Sequence, residues 1–339
     1  MKVLIVYNSE PLPDNRVKTL ASWRKLATTK VIFSFDESYQ RTLVDKILNR
    51  MGLPTDPCRL NKRVLEEALS YEPNIIFFVK SVDMKPSTLK ALQKSNIKTV
   101  FWSNDDMWAK HNRSLWFTWG ARYFDLVVTQ KSYNCNPNEL PSFGVKHLLF
   151  QDKAYDPAMH RPVDSVDARF KHDVVLIGTY EKERLQSIMY LANHGIKVDV
   201  YGWAKTMDRN FHPNITFHNY HLWDADYCKT ITNSKISLNF LRKMNRDLQT
   251  SRSIEIPACR GFMIAERTNE HLRLFKEGKE AEFFSDDDEL LRKVQFYLKH
   301  DKLRSEIAQA GYCRCMKDRY DFDYRMEEIW LELFPNEKN

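Results

Sequence analysis

Short apolar runs rich in β-branched and aromatic residues alternate with longer amphipathic stretches from one end of this chain to the other, and few folds tolerate that rhythm. Runs of this length and composition read as buried strands. The intervening stretches read as helices, so the pattern predicts mostly parallel sheets covered on their faces. In the first half the strand runs are Val3 to Tyr7, Ile75 to Val79, Thr99 to Trp102, Leu126 to Thr129 and Lys146 to Leu149. Helical spacing falls on Asn15 to Leu26, Lys62 to Ser70, Ser87 to Lys94 and the stretch near Trp116. The segment Asp152 to Asp167, with Asp156-Pro157 and His160-Arg161-Pro162, lacks apolar periodicity and reads as a surface connection. A second series follows: Asp173 to Ile177, Lys197 to Tyr201, Ile215 to Phe217, Ile236 to Asn239, Phe262 to Ala265 and Ala281 to Phe283. The end is helical, over Asp286 to His300, Lys302 to Arg319 and Tyr324 to Leu333, with Ser285 and Asp288 placed as a capping box.

Size agrees with two cores. At 339 residues the chain exceeds one ordinary domain, and the boundary puts residues 1–155 in the first and 156–320 in the second. With 29% charged residues, no apolar run of membrane-spanning length and no basic-then-apolar leader, the expectation is a cytoplasmic protein. The six cysteines form no Cys-x-x-Cys pair, which argues against a zinc ribbon or a disulfide framework. A net charge of +7 favours anionic partners such as nucleotides, nucleic acid or acidic surfaces without choosing among them. Only nine glycines occur and none forms Gly-x-Gly-x-x-Gly, so a dinucleotide held in the dehydrogenase manner is not expected.

In open α/β sheets ligands bind beyond the carboxyl ends of the strands, so the residues that follow each strand are the candidates. That rule selects Gly178-Thr179-Tyr180, Tyr201-Gly202-Trp203, His218-Asn219-Tyr220 and Asn239 to Arg242 in the second half. In the first half it selects Asn8-Ser9, Lys80-Ser81 and Ser103 to Asp106. The richest segment runs from Asp247 to Glu255, two acids flanking Thr250-Ser251-Arg252. Thr250 and Ser251 are suited to start a helix and aim backbone amides at a phosphate. Glu255 can accept from ribose hydroxyls while Asp247 meets a sugar; alternatively, Arg252 and Glu255 form a surface helix pair. A diphosphate leaving group also needs cations, for which Arg184 and Arg242 are the candidates, each being otherwise an ordinary surface charge. Asp105 and Asp106 are either acceptor-orienting bases or a helix cap and its neighbour. Asp14-Asn15-Arg16 either helps close over a donor or caps a helix.

The run Arg252 to Gly261, with Phe262-Met263-Ile264-Ala265-Glu266-Arg267, Leu274 to Glu280, Phe284 to Leu290 and Ile307 to Gly311, resembles group 1 glycosyltransferases. Within them it resembles most the spore-maturation-protein (CgeB)-like branch. The match is specific over about residues 230 to 320, and looser at Asp14 to Arg16 and Phe101 to Asp106. The resemblance implies the GT-B architecture: two Rossmann-like domains facing each other across a cleft, acceptor side first and donor side second. It also implies that a last helix, residues 321–339, packs back on the first domain. Glu255 falls where such enzymes hold the donor ribose. Asp247 falls where many retaining members have a Glu facing the sugar, and Arg260 precedes Gly261 where a Cys-Gly junction is usual.

The expected activity is therefore transfer of a sugar from a nucleotide-diphosphate sugar, UDP- or GDP-linked, to a hydroxyl, retaining and without a metal. The donor is a co-substrate, and no tightly bound cofactor is expected. The acceptor is a glycan, a small molecule, a protein or a modified DNA base, and the basic balance gives the last some weight. A contrasting expectation is a GT-B-fold nucleotide- or glycan-binding protein that has lost turnover. Asp224-x-Asp226 and Asp321-x-Asp323 sit at helix starts, where acids favour the dipole, so metal binding is not assigned to them. His218 either lines a base pocket or is structural, and with His221 it lacks zinc-like spacing.

Overall fold

The computed structural model describes residues 1–12, 17, 19–36, 39–40, 42–164, 167–203 and 211–336, so Asp14, Asn15 and Arg16 lie outside the described residues. The chain divides into two compact units, residues 1–152 with 323–339, and residues 153–322.

The first unit is built in the order β1 (Lys2–Tyr7), α1 (Leu20–Leu26), β2 (Thr28–Phe33), α2 (Leu43–Arg50), α3 (Leu60–Tyr71) and β3 (Ile75–Val79). It continues through α4 (Pro86–Leu92), β4 (Lys98–Ser103), α5 (Leu115–Gly120), β5 (Leu126–Thr129) and β6 (Leu148–Phe150). The sheet has six parallel strands in the order β2-β1-β3-β4-β5-β6, so its direction of winding reverses between β1 and β3. Every residue of β3 and β5 is buried, as strands covered on both faces require. Strand β2 was not expected from the sequence. It is one of the two edge strands, with residues 28 and 30 exposed and Lys30 bonded to Glu67 on α3, so it lacks the continuous apolar run of the central strands.

The second unit comprises β7 (Val174–Ile177), α6 (Lys182–Asn193), β8 (Val198–Tyr201), β9 (Ile215–His218), α7 (Asp224–Asn233) and β10 (Ile236–Asn239). It continues with α8 (Arg252–Ala258), β11 (Met263–Glu266), α9 (Asn269–Leu274), β12 (Glu282–Phe284), α10 (Asp287–Lys299) and α11 (Asp301–Lys317). Six parallel strands stand in the order β12-β11-β10-β7-β8-β9, the arrangement of a classic dinucleotide-fold sheet, with winding reversed between β7 and β10. Helix α8 packs on α11 at Gly311, where an added Cβ would lie 2.4 Å from the Glu280 carbonyl oxygen.

The final helix, α12 (Phe322–Leu333), is tied to the first unit. The Gln151 amide donates to the Arg325 carbonyl at 2.7 Å, and Lys25 pairs with Asp323. The segment after Asp152 differs from a surface connection at its start. Lys153, Ala154 and Tyr155 are buried, Lys153 N–H donates to Gln249 Oε1, and Tyr155 exchanges backbone bonds with Tyr320 and Phe322. The cap of α10 also shifts by one residue: the side chain of Asp286 accepts from Glu289 N–H, and Glu289 returns a bond to Ser285 N–H. Both acid-x-acid motifs stand at helix starts, with Asp226 paired to Lys229 and Asp323 to Lys25.

Candidate functional site

The reversal between β7 and β10 leaves a crevice at the carboxyl ends of these strands in the second unit, and the sequence-selected residues collect around it. Strand β7 ends into Gly178, and β8 ends into Gly202, whose φ of +91° suits only glycine. A Cβ at Gly202 would stand 2.5 Å from Gly178 O, so the two loops meet through bare backbone. Gly178 has its own reason to be small, because a Cβ there would come 3.3 Å from a guanidinium nitrogen of Arg184.

Arg184, on the first turn of α6, crosses the crevice. Its side chain is 8% exposed and donates to Thr179 O at 2.9 Å and Phe240 O at 3.3 Å, joining the loop after β7 to the loop after β10. Burial lowers its pKa, Glu181 offsets this, and the positive charge of Arg252 adds to the lowering, so the two guanidinium groups share one neighbourhood. Nε of Arg184 and Nε of Arg252 are both buried and make no hydrogen bond. Two like charges, each with a buried Nε that makes no hydrogen bond, are an arrangement that an anion can satisfy. Arg242, half exposed, lies 3.5 Å from Glu181 Oε1 and so stands at the mouth. Beside Arg184, a cavity of about 340 Å³ is lined by Phe240, Leu241, Lys243, Glu266 and Ser285. A larger hollow of about 940 Å³, near Lys171, Lys235 and Arg304, lies at the amino ends of the strands and touches none of these residues.

Helix α8 begins where the sequence reading put it, with Ser251 as N-cap, but no hydroxyl caps it. Ile254 and Glu255 N–H both donate to the Ser251 carbonyl, so the amides of Ser251 and Arg252 precede the first turn of internal bonds. Thr250 instead donates to Asn239 Oδ1 at the end of β10. Asn239 donates to Ser253 Oγ at 3.0 Å, and Thr250 N–H donates to the same oxygen at 2.9 Å. Ser253 Oγ lies 2.7 Å from Nε2 of His271, whose Nδ1 lies 2.6 Å from the Glu266 carbonyl. The carbonyl can only accept, so Nδ1 carries the ring proton and Ser253 donates to Nε2. Both residues are fully buried, and burial pushes His271 below the ordinary histidine range. This serine-histidine pair therefore holds the helix start against β10 and α9, beyond the reach of a substrate. It was not anticipated, because its members are separated in sequence by a strand.

Glu255 is not a surface partner of Arg252. Its carboxylate is 12% exposed and accepts from the Tyr227 hydroxyl at 2.8 Å, with His160 Nε2 at 3.9 Å. Asp156 N–H donates to His160 Nδ1, which leaves the ring proton on Nε2, facing Glu255. The sequence offered no signal for Tyr227 or His160: one sits on a different helix and the other in the unpatterned segment. Asp247 is half-buried after the 3-10 turn at Lys243–Asn245, and its charge is felt by Arg184. His218 stands apart from this group, bonded to Asp199 and stacked on Tyr201.

In the first unit the two acids after β4 divide their roles. Asp106 is 1% exposed and accepts from Trp108 N–H and the Asn134 amide, which makes it framework. Asp105 keeps 19% of its side chain exposed and pairs with Lys80, which follows β3 with a φ of +51°.

Residues 170–330 match a family model described as glycosyl transferase-like. Among solved structures, Anabaena HepE in complex with UDP-glucose superposes with a TM-score of 0.66 at 13% identity, over 98% of this chain and 99% of that one. The fold is GT-B. Sucrose-phosphate synthase from Thermosynechococcus elongatus shares it at 11% identity and a TM-score of 0.66, over 98% and 99% of the two chains. A glycosyltransferase from Rickettsia africae shares it at 14% and 0.65, over 99% of each. No curated protein sequence matches the chain. The segment that the family model covers holds the second six-stranded sheet, and no described helix is long and apolar enough to cross a membrane.

Proposed function

We propose that this protein is a glycosyltransferase of the CgeB-like branch, working in the cytoplasm, that moves a hexose from a UDP- or GDP-sugar to an acceptor hydroxyl. The observation that carries this reading is the pair Arg184 and Arg252, each with a buried unbonded Nε at the reversal point of the second sheet. They meet the diphosphate, assisted by the opening amides of α8. Glu255, oriented by Tyr227, accepts from the ribose hydroxyls. Gly178 and Gly202 let the backbone approach the ligand, and Arg242 closes over it. Asp247 faces the sugar, and Asp105 is the acceptor-side base.

In the reaction the bond between the anomeric carbon and the diphosphate oxygen breaks as the acceptor oxygen bonds to that carbon. The acceptor proton passes to a basic oxygen, and the negative charge gathers on the departing nucleoside diphosphate. Positive charge already fixed beside that oxygen lowers the barrier without reorganisation. Because arginines supply it, transfer proceeds without a metal, and retention follows the resemblance. UDP-glucose, which HepE binds, is the first donor to try.

The test is nucleoside diphosphate release from a panel of UDP- and GDP-sugars, with glycan, small-molecule, protein and DNA acceptors. Release with one donor, reduced about a hundredfold or more in Arg252→Gln, supports the proposal. Binding of the nucleotide with no release under any acceptor would instead identify a GT-B binding protein without turnover.

A further inference from the structure

Strand β8 contains an acid where a core strand expects an apolar residue. Asp199 stands between Val198 and Val200, both buried, and a carboxylate in that setting is costly unless it is fully engaged. Its two oxygens face two histidines from the neighbouring segments. His172 Nδ1, two residues before β7, lies 3.1 Å from one oxygen, and His218 Nε2, at the end of β9, lies 2.7 Å from the other. The ligand atoms of the three residues all fall within 4.8 Å of one another.

We propose that His172, Asp199 and His218 form a binding site for a divalent transition metal of the zinc class. Two imidazole nitrogens and one carboxylate oxygen are a ligand set that zinc favours. Metal–ligand bonds of about 2.0–2.2 Å in a tetrahedron set donor atoms roughly 3.3 Å apart, inside the range that these side chains already span. Three protein ligands leave the fourth position to water. Side-chain exposures of 8% for His172, 19% for Asp199 and 21% for His218 make the site enclosed but reachable.

The surroundings fit as well. A ligating histidine usually gives its other ring N–H to a fixed acceptor, and the Tyr201 hydroxyl lies 2.9 Å from His172 Nε2. The Tyr201 ring lies flat on His218, 4.0 Å between centroids and 5° between planes, and so sets the plane of the second ligand. On binding, the metal replaces the protons between the rings and Asp199, and each ring carries its proton on the outer nitrogen. The three ligands come from adjacent segments in parallel register, so the metal would clip β7, β8 and β9 together and fix the loop that opens at Asn219. None of the three belongs to the Arg184–Glu255 group, so the site is independent of the glycosyl-transfer reading.

The experiment uses the full, untagged chain, stripped with chelator and titrated with cobalt(II) and then zinc(II). The expected result is one cobalt per chain with visible d–d absorption of a tetrahedral nitrogen-oxygen site, displaced by zinc. Asp199→Asn and His218→Ala should each weaken binding more than tenfold and Tyr201→Phe by about tenfold, while Glu255→Ala leaves it unchanged. Circular dichroism confirms that each variant is folded. The wild-type titration decides alone if a variant does not fold. No cobalt spectrum and no zinc binding by the folded wild type overturns the proposal. So do binding that survives in folded Asp199→Asn and a sulfur-to-cobalt charge-transfer band, which would place the metal on cysteine.

Discussion

Arg184, Arg252 and Glu255 are charged groups drawn out of water: the Thr179 and Phe240 carbonyls hold Arg184 and the Tyr227 hydroxyl holds Glu255, while Nε of each arginine makes no hydrogen bond. Glu255→Ala should therefore weaken nucleotide affinity about tenfold or more with little change in thermal midpoint, and Tyr227→Phe should weaken it less. Calorimetric titration with UDP and GDP checks both; unchanged affinity in a folded Glu255→Ala protein removes Glu255 from the site. Ser253 belongs to the framework instead. Its removal strands the Asn239 amide and the Thr250 N–H, and it should cost about 1–3 kcal/mol in urea unfolding. At this scale the sequence was legible where placement follows from position after a strand, as at Gly178 after β7 and Gly202 after β8. It was not legible where a side chain is held by another element. The burial of Asp106 depends on Asn134, and the hold of Asp199 on His218 depends on the register of β8 and β9. No local pattern encodes either.

Elements were legible where an apolar pattern marks them. The central strands, apolar on both faces, could be read directly, whereas β2 at the edge and the helix α2 could not. Helix α2 turns Leu43, Val44 and Ile47 to solvent and buries Asp45 in its capping box, the reverse of the usual amphipathic order. Among the elements of the second unit, α10 is fastened to β11 and β12 by charge. Arg267 grips Glu289 with two bonds of 2.8 Å, and this holds the Glu289 carboxyl down at about 2. A carboxyl with a folded pKa below its unfolded value of about 4.3 stabilises the fold above that pH. The contribution fades as pH falls toward 2. Glu289→Gln should accordingly be less stable than the parent at pH 7, by about 1 kcal/mol after allowance for solvent screening. The gap should close between about pH 4.5 and 2. Urea midpoints across that range check the sign, and a gap independent of pH would show that Glu289 acts by packing alone.

Across the whole molecule, two parallel sheets of different winding divide the chain, and the sequence rhythm announced both. The point of reversal in each sheet could not be read, because strand order is set by which helices cross over which face. That is the information that turns a set of residues following strands into one group around β7 and β10. The proposed role of this group is to bind a nucleoside diphosphate through arginines and a carboxylate. The most direct test is calorimetric titration of the purified chain with UDP, GDP, ADP, TDP and CMP, in chelator and in magnesium, repeated on Arg252→Gln and Glu255→Ala. One diphosphate should bind per chain, with similar affinity in chelator and in magnesium, and each variant should lose about tenfold or more. Absence of binding across the panel, or equal binding by the folded variants, would contradict it.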